Sequence, residues 1–158
     1  MMSKRMTILA AIVALMVAMF ATAAYAKVIT GTNGPDTLIG TANADEISGL
    51  GGADLIKGRG GGDTLNGGAE ADTIKGSTGK DTINAGSGDD FQVNGDAGND
   101  FIDLVDGQTG DFANCGDGDD TVKVDLILLP GLPGAPPEED KDSFGFCEHV
   151  IKVEVPAQ

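Results

Sequence analysis

Aromatic residues, histidine and positive charge are all scarce in this chain. Its 158 residues include no Trp, one Tyr and one His, with 4% aromatics and 10 Lys and Arg against 25 Asp and Glu. The shortage of cations argues against nucleic acid and anionic membrane surfaces as partners, since both bind basic faces. The one histidine, His149, has no motif around it, which leaves no basis for a Ser/His/Asp relay or a histidine-rich zinc cage. Paired carboxylates such as Asp89-Asp90 and Asp119-Asp120 invite a glycosidase reading. Each pair lies in a repeat turn, where a ligand or a solvated neighbour fits better, so the chain reads as non-enzymatic. Few aromatics with high charge often mark disorder, but here the order of the residues argues otherwise.

Long apolar runs are also scarce. One, Thr7 to Phe20, follows Lys4-Arg5 and leads into Ala24-Tyr25-Ala26, a small-x-small cleavage pattern. The run is shorter than the roughly 20 residues that span a bilayer. Residues 1–26 therefore read as a secretory signal peptide, with the mature chain starting at Lys27 and no membrane insertion after cleavage. The expected location is extracellular, with cell surface or periplasm as the other compartments. The mature chain keeps 8 cationic and 25 acidic residues, a net charge of −17. The two cysteines, Cys115 and Cys147, would meet an oxidising compartment and read as a disulfide. Such a bridge contributes roughly 3–4 kcal/mol in the chain-entropy model.

What the chain does have is a period. From Gly31 it divides into nines: GTNGPDTLI, GTANADEIS, GLGGADLIK, GRGGGDTLN, GGAEADTIK, GSTGKDTIN and, from Ala85, AGSGDDFQV. One residue then slips the frame, GDAGNDFID follows from Gly95, and CGDGDDTVK starts at Cys115. The sixth position is Asp in all nine blocks: Asp36, Asp45, Asp54, Asp63, Asp72, Asp81, Asp90, Asp100 and Asp120. The eighth is aliphatic except at Gln92, and the fourth is Gly except at Asn43 and Glu70.

Each column has a physical reason. Side chains alternate faces along a strand, so a strand of three residues buries only its middle one. The other six residues must turn the chain, and Gly reaches positive φ without a clash. Asn43 also tolerates that region, whereas Glu70 should be strained there. Two blocks make one coil, so blocks n and n+2 stack about 4.8 Å apart. That stacking sets carboxylates in two parallel rows, which repel unless cations lie between them. A turn-capping role for each Asp explains a few positions but not two rows. Calcium takes 6–8 oxygen ligands in irregular geometry, whereas magnesium demands a strict octahedron and zinc prefers His and Cys. The pattern therefore calls for several calcium ions as the cofactor.

The blocks match G-G-x-G-x-D-x-U-x, with U a large apolar residue. GRGGGDTLN (Gly58 to Asn66) and GLGGADLIK (Gly49 to Lys57) are good matches. On these blocks the chain resembles the RTX, or haemolysin-type, calcium-binding repeat family. The resemblance implies an all-β fold, a parallel β-roll (β-solenoid) with calcium between turns of alternate repeats. The ligands it implies are loop carbonyls and the sixth-position Asp. One row would hold Asp36, Asp54, Asp72 and Asp90, and the other Asp45, Asp63, Asp81 and Asp100. Many relatives join such repeats to a catalytic domain, and no activity carries over to this chain. Its ending, Cys147-Glu148-His149-Val150, resembles that of short actinobacterial repeat proteins.

Phe101 to Val105 outruns a three-residue strand, so the coil is expected to lengthen there. Phe91 and Val93 are expected to point inward, with Gln92 outward. Pro130 to Asp142 reads as a loop. The expected division is a signal peptide (1–26), a repeat roll (27–103), and a last repeat with a C-terminal cap (104–158) stapled by Cys115–Cys147. The leading function is a secreted module that folds on calcium. A cell-surface adhesin or matrix component, with an unidentified protein or cell-surface partner, is the alternative. Intact-mass measurement of exported material should give a chain starting at Lys27, and a product retaining Met1 to Ala26 would revive a membrane anchor.

Overall fold

The computed structural model describes residues 25–108, 110–128 and 143–156. The expected signal peptide lies almost wholly outside the described residues, and the loop from Pro130 to Asp142 wholly so. The described chain contains strands and no helix: β1 (Val28–Thr30), β2 (Thr37–Ile39), β3 (Glu46–Gly51), β4 (Leu55–Gly60), β5 (Thr64–Ala69), β6 (Thr73–Thr78), β7 (Thr82–Ser87), β8 (Gln92–Ala97), β9 (Phe101–Asp103), β10 (Phe112–Asp117), β11 (Thr121–Leu128), β12 (Ser143–Gly145) and β13 (His149–Pro156).

Odd strands form one sheet, β1-β3-β5-β7-β9-β11-β13, and even strands the other, β12-β10-β8-β6-β4-β2. Every pairing is parallel and joins strand n to strand n+2. This is a β-solenoid in which each coil contributes one strand to each sheet. The aliphatic column is its core. Ile47, Leu65, Ile83, Ile102 and Val122 stack down one sheet, and Leu38, Ile56, Ile74, Val93 and Ala113 down the other. All ten are buried.

Most strands are six residues long rather than three. Pairing resumes in the turn after the first three rungs, as in Leu50↔Gly68 and Gly51↔Ala69. A second inward position, the first residue of each block, is thereby buried at Gly49, Gly58, Gly67 and Gly76. The turns need positive φ at two places. The fourth position has it at Gly52, Gly61, Glu70 and Gly79, and the second at Leu50, Arg59, Ser77 and Asp96. Glu70 is thus held left-handed at φ 74°, the strain expected of it. Asn43 does not take positive φ; instead Thr41 Oγ1 accepts its N–H and supports a different turn.

One expectation for the frame slip needs correcting, while Val93 is inward and Gln92 outward as expected. Phe91 is 59% exposed, not inward. Gln92 pairs with Thr73 and Val93 with Ile74, so Val93 fills the aliphatic column and Phe91 is the surplus residue, extruded before β8 begins. β9 stops at Asp103 rather than running on, although Leu104 is buried behind it. The coil does lengthen: rung partners are 18 residues apart at Ile47↔Leu65, 19 at Ile83↔Ile102 and 20 at Ile102↔Val122. At the C-terminal end β13 pairs with β11, β12 with β10, and the Cys115–Cys147 disulfide is formed.

Glu70 and Gly79 share the fourth turn position, which makes them a matched test. Glu70→Gly relieves a left-handed side chain and should raise stability by up to about 1 kcal/mol. Gly79→Ala puts a Cβ into the Gly61 carbonyl at φ 128° and should cost about 3 kcal/mol or more. Urea midpoints in excess calcium check both, and equal midpoints would remove the left-handed turn from the account.

Candidate metal centre

The nine sixth-position aspartates do line up in two rows, one at each side of the roll. A hydrogen bond repeats along each row. The main-chain N–H of each aspartate before Asp120 donates to Oδ1 of the aspartate one coil on. In the first row the bonds are Asp36→Asp54, Asp54→Asp72 and Asp72→Asp90, each 2.8 Å. In the second they are Asp45→Asp63 and Asp63→Asp81 at 2.7 Å, Asp81→Asp100 at 2.8 Å and Asp100→Asp120 at 2.7 Å. The side chain of one repeat therefore holds the backbone of another through a carboxylate oxygen.

The second carboxylate oxygen is different. Oδ2 of Asp54, Asp63, Asp72, Asp81, Asp90, Asp100 and Asp120 is buried without a hydrogen-bond partner. A buried, unpaired anionic oxygen is costly. Each turn also brings a main-chain carbonyl beside it. A Cβ placed at Gly49 would strike both Asp54 Oδ2 and the Gly67 carbonyl, and one at Gly58 both Asp63 Oδ2 and the Gly76 carbonyl. The first block position must therefore be small, because two oxygens already converge there.

The first aspartate of each row stands apart. Asp36 is only half-buried and its Oδ2 accepts the N–H and hydroxyl of Thr32, at 2.6 and 2.9 Å. Both oxygens of Asp45 are likewise taken, by Thr41 and by the Lys27 N–H. Threonines supply in these first turns what Asp54, Asp63, Asp72, Asp81, Asp90, Asp100 and Asp120 lack at Oδ2.

Two members were missed in the sequence. Asp111 Oδ1 accepts the Asp90 N–H at 2.8 Å and continues the first row. Its block, Gly107 to Asn114, is one residue short between Gly110 and Asp111 and has Ala113 in the aliphatic column. The signal was a degraded G-x-x-G-D. Glu148 accepts the Asp120 N–H at 2.9 Å and lies in no block.

Burial, opposed by the hydrogen bond from the preceding coil and reinforced by neighbouring carboxylates, raises Asp72 and Asp81 to about 6. Asp63, Asp90, Asp100 and Asp120 are raised for the same leading reason. Asp45 moves the other way: burial would raise it, but hydrogen bonds from Thr41 and Lys27 outweigh that.

A cation fits this arrangement. Among the described residues no group of three His, Cys, Asp or Glu side chains could hold a metal. An ion here would take a carboxylate oxygen and main-chain carbonyls. That donor set is all hard oxygen, which suits calcium and not zinc. The His149 side chain contacts Asp119 at the surface, 2.9 Å away, and is no hard oxygen donor.

With no ion bound, a carboxyl of raised pKa holds its proton more tightly in the folded chain than in the unfolded one. Stability from Asp72 and Asp81 is then fully present below the unfolded value near 3.8 and is lost as pH rises through about 6. In chelator, strand content should be greater near pH 5 than near pH 7. A chelated chain that loses strand on this acidification would contradict the burial of these carboxylates.

A family model described as the RTX calcium-binding nonapeptide repeat, in four copies, matches residues 30–65, 57–92 and 66–102. No curated protein and no solved structure matches the chain.

Proposed function

Residues 30–102 belong to the RTX calcium-binding nonapeptide repeat family, and from that premise we propose that this chain is a secreted calcium-binding roll whose ions drive its folding. The observation that carries the reading is the pair of rows of buried Oδ2 atoms without partners. Such atoms oppose folding unless an ion joins them, and the ion has no comparable site in the unfolded chain. The net charge of −17 on the chain from Lys27 acts in the same direction, since self-repulsion opposes compaction until cations offset it. After the last repeat, the strands Ser143–Gly145 and His149–Pro156, with the disulfide, serve as a cap over the last coil, as a solenoid requires. Calcium is structural here, and no catalytic group is assigned.

The unpaired Oδ2 separates ion-bearing turns from the first ones. Asp63 and Asp72 keep a buried oxygen for the ion, whereas Asp36 is satisfied by Thr32.

Circular dichroism of residues 27–158 should show little strand in chelator and a steep gain with calcium, at about 10⁻⁴–10⁻³ M as in other extracellular modules. Magnesium should not substitute. Asp63→Ala or Asp72→Ala should shift the midpoint to higher calcium, and Asp36→Ala should shift it much less. A chain equally folded with and without chelator defeats the proposal.

A further inference from the structure

The second row does not stop at Asp120. The Asp120 N–H donates to Glu148 Oε2 at 2.9 Å, the same bond that earlier members make to an aspartate one coil on. Strand register explains the placement, because Thr121 is set against His149, and each follows the acid in question. The turn that delivers Glu148 is abbreviated. Gly145 lies opposite Asn114 and His149 opposite Thr121, so three residues stand where the neighbouring coil has six. The disulfide adds a second tie beside this register: it joins Cys147, next to Glu148, to Cys115 at the head of the longer turn, with Cα atoms 5.2 Å apart.

The choice of an acid matters. Capping the last N–H needs only a neutral acceptor. Glu148 instead sets a second carboxylate beside Asp120, which is fully buried and whose Oδ2 has no hydrogen-bond partner. Two acids so placed repel unless a cation offsets them.

Resting on the calcium reading above, we propose that Glu148 is the terminal ligand of the second row, sharing with Asp120 a calcium ion at the C-terminal end of the roll. Strand register and the Cys115–Cys147 bridge position it. Glu148 is exposed, so this site opens to solvent, water completes it, and it binds more weakly than interior ones.

Glu148→Gln separates charge from hydrogen bonding, since glutamine keeps an oxygen for the Asp120 N–H. Bound calcium is counted by titration calorimetry and equilibrium dialysis in the oxidised wild-type chain and the variant. Amide exchange is followed at Thr121–Asp125 with calcium and with chelator. The variant should lose one ion, or weaken one site by roughly tenfold or more. Calcium-dependent protection should fall at Thr121–Asp125 while Ile47–Lys75 keeps its own. An unchanged ion count, affinity and protection would overturn the proposal. So would an equal loss of protection with and without calcium, the mark of a plain hydrogen-bond cap. A wild-type chain that binds no calcium fails in the control arm, which tells against the parent reading itself.

Discussion

A buried aspartate whose two oxygens do different work governs this fold. Oδ1 accepts the N–H of the aspartate one coil before it, as in Asp54→Asp72 and Asp63→Asp81 at 2.8 and 2.7 Å. Oδ2 faces inward with no protein partner. The first contact registers neighbouring coils, and the second makes their closeness unfavourable until a cation arrives. Architecture and ion dependence therefore come from one side chain. The glycines at block heads follow from it too, since a Cβ at Gly49 or Gly58 would occupy the space of Oδ2 and the adjoining carbonyl.

Where repeat length varies, the ladder is kept and the surplus is expelled. The aspartate bonds span 18 residues through most of the first row and 21 at Asp90→Asp111, yet the distance stays at 2.8 Å. At the frame slip Phe91 goes to solvent so that Val93 can meet Ile74. An exposed aromatic costs less than a broken rung, because the rung fixes both a core side chain and a carboxylate. The threonines at Thr32 and Thr41 solve the same problem differently, satisfying Asp36 and Asp45 from within the turn.

Periodicity made much of this legible in the sequence. The Asp and aliphatic columns repeat often enough to give the roll and both rows, and two cysteines left one pairing. Features that do not repeat were hidden. Asp111 escaped because its block has lost a residue and carries Ala113 as its core side chain, and Glu148 because it is aligned by strand pairing and a disulfide. Positive φ at the second turn position was signalled at Gly68, Gly86 and Gly116 but hidden at Leu50, Arg59, Ser77 and Asp96, which give no compositional sign of it. Asn43 misled for the opposite reason: its tolerance of that region goes unused beside the Thr41 hydroxyl. Strand length was underestimated because pairing within the turn depends on the neighbouring coil and not on local alternation.

The central claim is that the inward oxygens are kept anionic for a cation and otherwise weaken the fold. Replacing Asp63, Asp72 and Asp81 together by Asn tests it most directly, because Asn keeps the oxygen that accepts the row's N–H and exchanges the unpaired anion for a neutral donor facing a carbonyl. Urea unfolding, in chelator and in calcium, is the measurement. The triple variant should be more stable than wild type in chelator and largely unresponsive to calcium. A variant less stable than wild type in chelator that still gains as much from calcium would contradict it.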